Sequence, residues 1–338
     1  MAVTILGRRK PFRGLRRFKP HRDLRQVTAL IAETFGAGLD AEGRAALREM
    51  RQISWLGPLV GFVLAADPQL QRLLNGYVWI EEGRVVGNLT LQSGIRYGSR
   101  WYISNVAVAP AYRGHGIARA LVEAALEEAQ QRGGDWATLQ VEAENEAARR
   151  LYEGLGFEAL GGLAYLRLPE PPAAPPPTAA PPSLRHWRSD DWYQEYELAK
   201  AATPSLLQWW QPLRSEAFRL HPEERLGELF SQLIGRRRTY RWVVEQESGA
   251  QGRLAASLMV RATRWRGEHQ MQLMVHPDAR GPLEEPLVRH ALALLASYPS
   301  RPTAIRHPAE HRAAINVFLA HGFRLRRTLM AMRKKIRG

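Results

Sequence analysis

Residues 106–119 read Val106-Ala107-Val108-Ala109-Pro110-Ala111-Tyr112-Arg113-Gly114-His115-Gly116-Ile117-Ala118-Arg119. The β-branched start predicts a strand that stops at Pro110, since proline brings no amide to a ladder. A short glycine-bearing turn follows. Then comes an amphipathic run from Gly116 to Arg132, ended by Gly133-Gly134, which predicts a helix. The first amides of a helix point outward without partners, into the positive end of its dipole, and form an anion site. Gly114 and Gly116 lack a Cβ, so a bulky anion can approach the backbone. Arg113 and Arg119 add charge suited to phosphate. The turn has neither the Lys-Ser/Thr ending of a nucleoside-triphosphate loop nor the three glycines of a dinucleotide fingerprint. A pyrophosphate on another carrier fits it better.

Upstream, Gly14 to Lys19 predicts a short strand. Asp23 to Phe35 and Asp40 to Trp55 predict two helices. Tyr77–Glu81, Val85–Gln92 and Trp101–Val108 predict three antiparallel strands. Downstream, Thr138–Glu142 is a strand, Asn145–Leu155 a helix stopped by Gly156, and Phe157–Leu168 a last strand or hairpin. Antiparallel strands leading into a strand–helix–strand crossover give an α/β class with a mixed, mostly antiparallel sheet flanked by helices.

A second motif follows about 30 residues after the turn: Asn145-Glu-Ala-Ala148-Arg-Arg-Leu151-Tyr152-Glu-Gly-Leu155-Gly156-Phe157. By themselves Asn145 reads as a helix N-cap and Tyr152 as an amphipathic core side chain. In order and spacing, however, Arg113-Gly-His-Gly116-Ile-Ala118 followed by Asn, Leu-Tyr and Gly-Phe resembles the GNAT superfamily of N-acyltransferases. The resemblance covers roughly residues 15–168. It implies acetyl-CoA as co-substrate, with no metal, and a primary amine acceptor, small molecule or peptide. It implies that the backbone of Val106, Ala107 and Val108 pairs with the pantetheine arm. One amide there would polarise the thioester carbonyl. The amides of Arg113, Gly114, His115, Gly116, Ile117, Ala118 and Arg119 would hold the pyrophosphate, Asn145 would bond the pantetheine, and Tyr152 would protonate the departing thiolate. The chain departs from the family at the strand position where many members carry a glutamate base. Tyr102 and Ser104 stand there, and the nearby Glu142 and Glu144 read more simply as solvated loop charge. Trp55, Tyr97, Trp101 and Tyr102 could line an acceptor cleft, but core packing explains them equally well.

The turn recurs. Val106 to Gly114 aligns with Leu273-Met-Val275-His-Pro277-Asp-Ala-Arg280-Gly281 at an offset of 167, and Ala147…Phe157 aligns with Ala313…Phe323 at an offset of 166. This predicts tandem GNAT-like domains over 1–168 and 184–338. Residues 169–183 hold eight prolines and predict an extended spacer about 45 Å long. The second copy is worn: Pro282 removes an amide, Leu283 replaces the second glycine, Glu284 and Glu285 put negative charge at the anion site, and Phe318 and His311 replace the tyrosine and asparagine. It is expected to keep the fold and bind no CoA.

The net charge of +15 sits at the ends, with nine Lys/Arg in residues 1–25 and seven in 324–338. This offers a surface for RNA, but solvated termini are the simpler reading, since few aromatics interleave. No run is long and apolar enough for a membrane span, and the N-terminus does not read as a secretory signal. The sequence has no cysteine, which excludes disulfides, thiolate metal sites and cysteine nucleophiles. A cytoplasmic enzyme acting by direct attack in a ternary complex is the expectation. A CoA-binding sensor without catalysis and a ribosome-associated protein are the alternatives, and a homodimer is an open arrangement.

Overall fold

The computed structural model describes residues 12–36, 41–54, 75–94, 99–170, 183–219, 237–246, 253–265 and 267–337. The chain forms two compact units. The first comprises Met1–Gln140, Leu151–Glu158 and Arg333–Gly338; the second comprises Val141–Arg150 and Ala159–Met332.

In the first unit, β1 (Gly14–Arg17), β2 (Gly76–Glu81), β3 (Arg84–Ser93) and β4 (Arg100–Val108) pair antiparallel in that order. β5 (Trp136–Glu142) joins β4 in parallel. Helices α1 (Pro20–Phe35) and α2 (Ala41–Ser54) precede β2, and α3 (Ile117–Gln131) makes the crossover from β4 to β5 that parallel pairing requires. α1 begins three residues before the expected Asp23 because Pro20 is already set for a first helical turn. Its Val27, Leu30 and Ile31 pack on Val78, Ile80, Val85 and Ala107. Each such side chain contributes roughly 1.5–3 kcal/mol by leaving water. α4 (Glu146–Glu153) carries the second motif.

The second unit repeats the plan. β7 (Leu184–His186), β8 (Arg237–Glu245), β9 (Leu254–Thr263) and β10 (His269–Val275) run antiparallel, and β11 (Thr303–Pro308) is parallel to β10. Helices α5 (Trp192–Ala202) and α6 (Ser205–Trp210) lie between β7 and β8 in sequence; α7 (Glu284–Leu295) crosses over, and α8 (Arg312–Ala320) precedes β12 (Arg324–Lys335).

The repeat extends to charges the sequence reading did not pair. Arg16 grips Asp23 with both terminal nitrogens at 2.6 and 2.7 Å, and Asp23 also accepts the Lys19 amide at 2.7 Å. In the second unit Arg185 grips Asp191 at 2.7 and 2.8 Å, and Asp191 accepts the Arg188 amide at 2.7 Å. Both carboxylates are buried, so the bidentate pair and the amide together offset the cost of desolvation.

Strand pairing does not follow the covalent order. β6 (Glu158–Leu168), read from sequence as the last strand of the first half, pairs antiparallel with β11, Thr303 opposite Leu168 and Pro308 opposite Leu163. Its inward residues Ala164, Leu166 and Leu168 join the core built from Leu258, Leu273, Val288 and Phe318. The physical reason is the alternation of β6: one face is apolar throughout, and the β11 edge offers unpaired backbone groups to match it. Spacer residues 171–182 lie outside the described residues. Among the described residues no helix is long and apolar enough to cross a membrane.

The basic ends are engaged locally. Arg13 donates to Glu81, Arg17 lies 3.3 Å from Glu128, Arg333 donates to Glu158 at 2.6 Å, Lys334 donates to the Leu155 carbonyl, and Arg333 stacks over Trp136. These pairings lower the free basic surface that the composition alone implied.

Candidate active site

The β4–β5 ladder runs from Arg100–Trp136 to Ile103–Leu139 and then ends. Beyond it, Ser104 to Val108 stay hydrogen-bonded to β3 on one side. A bulge interrupts that pairing: Ser104 faces Thr90 and Ala107 faces Asn88, so two residues of β4 share one position opposite β3. Asn105 takes φ 51°, a conformation asparagine tolerates better than most residues. It is held there by Asn88, whose amide donates to the Asn105 carbonyl at 3.1 Å, and by its own amide donating to Thr90 at 3.2 Å. The bulge re-aims the backbone of Val106 and Ala107 just where the strands part. The sequence reading missed it; an asparagine inside a β-branched strand was the available signal.

After β4 a single 3-10 turn, Pro110–Tyr112, leads to Gly114 and Gly116 at φ 78° and 76°. Gly116 is the N-cap of α3. The amide of Tyr112 is used by Ala109 and that of Arg113 by Pro110, whereas the amides from Gly114 to Arg119 meet no protein acceptor among the described residues. A Cβ placed at Gly114 or Gly116 would meet no heavy atom within 4 Å. The turn is thus a run of outward donors beneath open space, as an anion cradle requires. Arg113 and Arg119 are exposed beside it. Arg113 donates through Nε to the Val108 carbonyl at 3.3 Å, and Arg119 lies 3.6 Å from Glu123. His115 is exposed, its Nδ1 2.8 Å from the Arg113 carbonyl. The Ile117 side chain is buried in the core, so this residue can contribute its amide alone.

Tyr152 lies in the same unit as this turn, on α4, 6% exposed, its ring edge-on to Phe157 at 5.9 Å. No protein partner holds its hydroxyl among the described residues. Burial pushes the phenol up to about 12, so it stays protonated over the working pH range. Asn145 belongs to the run 141–150 that groups with the second unit. Its Oδ1 accepts the Ala148 amide at 3.1 Å, capping α4. Glu142 and Glu144 are exposed. Trp101 is buried, with Arg132 5.0 Å over its ring, which makes it a core side chain; Trp55 and Tyr97 lie outside the described residues.

The corresponding turn of the second unit is filled. Glu284 is fully buried, and its Oε2 accepts the Gly281 amide at 2.7 Å. Its Oε1 meets His311 Nε2 at 2.8 Å, and His311 Nδ1 meets His307 Nε2 at 2.8 Å. Burial alone would raise the Glu284 carboxyl, but the bonds from His311 and from the amides of Glu284 and Gly281 hold it below the usual range. Burial first, then repulsion from His311 and Arg280, pushes His307 down to about 3. The unfolded chain therefore binds the His307 proton near pH 6.5 while the folded one does not until near pH 3. Stability should fall as the pH drops through that window, by about 1.4 kcal/mol per pH unit from this group. Urea unfolding at pH 7, 6 and 5 checks this: the wild type should lose midpoint faster than His307→Gln, and parallel losses would remove His307 from the effect.

Residues 45–157 match the Acetyltransferase (GNAT) family. The chain is 52% identical over 58 residues to N-alpha-acetyltransferase 30 of Saccharomyces cerevisiae, covering 17% of this chain and 33% of that protein. It is 35% identical over 146 residues to a mycothiol acetyltransferase of Thermobispora bispora, covering 42% of this chain and 45% of that protein. The chain thus spans less than half the length of these two relatives. Among solved structures, a GCN5-related N-acetyltransferase from Sphaerobacter thermophilus superimposes with a TM-score of 0.59 at 18% identity, over 96% of each chain, which shows a shared fold. The splayed strands, the bulge and the open amide turn all lie inside residues 45–157, the segment that matches the Acetyltransferase (GNAT) family.

Proposed function

We propose that the first unit transfers an acetyl group from acetyl-CoA to a primary amine, small molecule or peptide, by direct attack in a ternary complex. The observation that carries this is the run of partnerless amides from Gly114 to Arg119 beneath open space. In this reading those amides, with Arg113 and Arg119, hold the pyrophosphate of acetyl-CoA. The free edge of Val106, Ala107 and Val108 pairs with the pantetheine, and Asn145 bonds it further along. An amide beside the Asn105 bulge accepts the charge that grows on the thioester oxygen. The amine nitrogen bonds to the carbonyl carbon, the carbon–sulfur bond breaks, and sulfur takes the proton of Tyr152 as it leaves. The surplus proton of the amine returns through solvent to Tyr152, and attack is direct without an acyl-enzyme, since the chain has no cysteine and its sequence offers no Ser/His/Asp arrangement. The second unit, its turn filled by Glu284, keeps the fold without binding CoA.

Ser104 and Tyr102 supply no carboxylate base; in this reading the amine arrives neutral, the alternative being a water relay to Glu142 or Glu144. Turnover with a peptide α-amine should then rise about tenfold per pH unit until the amine pKa of about 8. A lysine side chain, with pKa about 10.4, should react far more slowly at pH 7. Acetyl-CoA turnover against peptides with free and blocked N-termini, together with calorimetry of the full chain, tests the proposal. The expected result is one acetyl-CoA per chain and acetylation of the free amine. Tight binding with no acetylation of any amine would make the unit a CoA-binding module instead, and absence of binding would end the reading.

A further inference from the structure

The second unit also has a strand splay, and there it opens into a cavity. The β10–β11 ladder ends at Met271 opposite Ile305. Past that point the strands part, and Met274 from β10 and His307 from β11 both line a cavity of about 220 Å³. Leu163, Leu207, Trp210 and Phe218 are among its apolar lining, while the exposed Gln211, Gln272 and Arg306 stand at its rim.

In the form with one N–H on each imidazole, two N–H groups are available and the side-chain string uses both. Glu284 Oε1 accepts from His311 Nε2, since a carboxylate can only accept. His311 Nδ1 is then a lone pair and accepts from His307 Nε2. His307 Nδ1 is left as a lone pair on a residue that is 2% exposed and lines the cavity. Glu284 thereby sets the direction of the whole string and leaves Nδ1 of His307, a residue that lines the cavity, as an acceptor.

We propose that this cavity is a second ligand site, for an uncharged single-ring or short-chain molecule whose hydroxyl or N–H donates to His307 Nδ1. The size supports the class: engineered cavities of about 150 Å³ take benzene, whereas sites for drug-sized ligands run about 300–1,000 Å³. Coenzyme A does not fit that volume. The surroundings support the absence of charge. The same burial that drives the His307 proton off would penalise a ligand of either charge, and the guanidinium of the lining, that of Arg306, is exposed at the rim. The site is independent of the transfer proposed for the first unit.

Phenol is the probe, with toluene and anisole as ring controls that cannot donate. Binding to the full chain at pH 8 is read by titration calorimetry and by the imidazole 15N resonances. Phenol should bind about three- to tenfold tighter than either control, the ratio expected for one net hydrogen bond. It should shift the Nδ1 resonance of His307 in particular. His307→Phe should bring phenol to the affinity of toluene, and Leu207→Trp, which fills the cavity, should abolish binding of all three. Equal binding of phenol and toluene by the wild-type chain, no binding at millimolar phenol, or binding untouched by Leu207→Trp would each overturn the proposal. The wild-type comparison stands whether or not either variant folds.

Discussion

Replacing Tyr152 by phenylalanine is expected to lower kcat about 10²–10⁴-fold, the range for loss of a positioned general acid. The ring of residue 152 packs edge-on against Phe157, and phenylalanine keeps that contact. The hydroxyl has no protein partner among the described residues, so its removal leaves no buried group unpaired and should alter stability little. The Michaelis constant for acetyl-CoA should move far less than kcat, because the proton is needed as the thiolate leaves and not while the thioester is bound. Burial adds a sign that can be checked. With the phenol pushed up to about 12, the acid stays protonated across pH 6–10, so the wild type should show no falling limb in that range. A falling limb near pH 8 that disappears in Tyr152→Phe would mean a phenol far more acidic than its burial permits. An unchanged kcat in the variant would remove Tyr152 from the chemistry.

The parts of this site that the sequence reveals are those fixed by local geometry. Pro110 ends a strand wherever it stands, and two glycines before an amphipathic run need positive φ for a tight turn; both hold in the structure. The bulge at Asn105 is different. It exists because Leu89 alone stands opposite two residues of β4, a register between strands at which Asn105 hints but which it cannot fix by itself. The same holds for β6, whose alternation predicts a strand but whose partner, β11, lies more than a hundred residues away. Charge counting fails for the same reason. Arg16 and Asp23 look like members of a solvated basic end, and only the fold brings them into a buried bidentate pair that Arg185 and Asp191 repeat.

Glu284 shows how a worn motif can be chemically specific. Its charge was expected to repel a diphosphate at the second turn. The structure shows the carboxylate turned back onto the Gly281 amide, so it also consumes the donor that a phosphate would need. His311, standing where the first unit has Asn145, bonds to Glu284 instead of capping α8. Glu284, His311 and His307 together form a buried string where the first unit has an open turn.

That comparison predicts the effect of putting a carboxylate into the first turn. Gly116 has φ 76° and ψ 0°, a region asparagine and aspartate enter more easily than other side chains, and a Cβ there meets open space. Gly116→Asn and Gly116→Asp should therefore impose similar backbone strain and similar bulk, and differ in charge. A carboxylate about 5 Å from a bound phosphate, in surroundings of effective dielectric near 20, costs about 3 kcal/mol per charge pair. It would also draw the amides of α3 to itself, as Glu284 does with Gly281. The aspartate variant is thus expected to weaken acetyl-CoA binding at least about a hundredfold, and the asparagine variant about tenfold or less, with both melting near the wild-type temperature. Dissociation constants from calorimetry at 0.15 M salt, where a site this exposed is partly screened, decide between the two contributions. If the two variants bind acetyl-CoA equally well, the turn does not hold an anion, and the cofactor lies elsewhere.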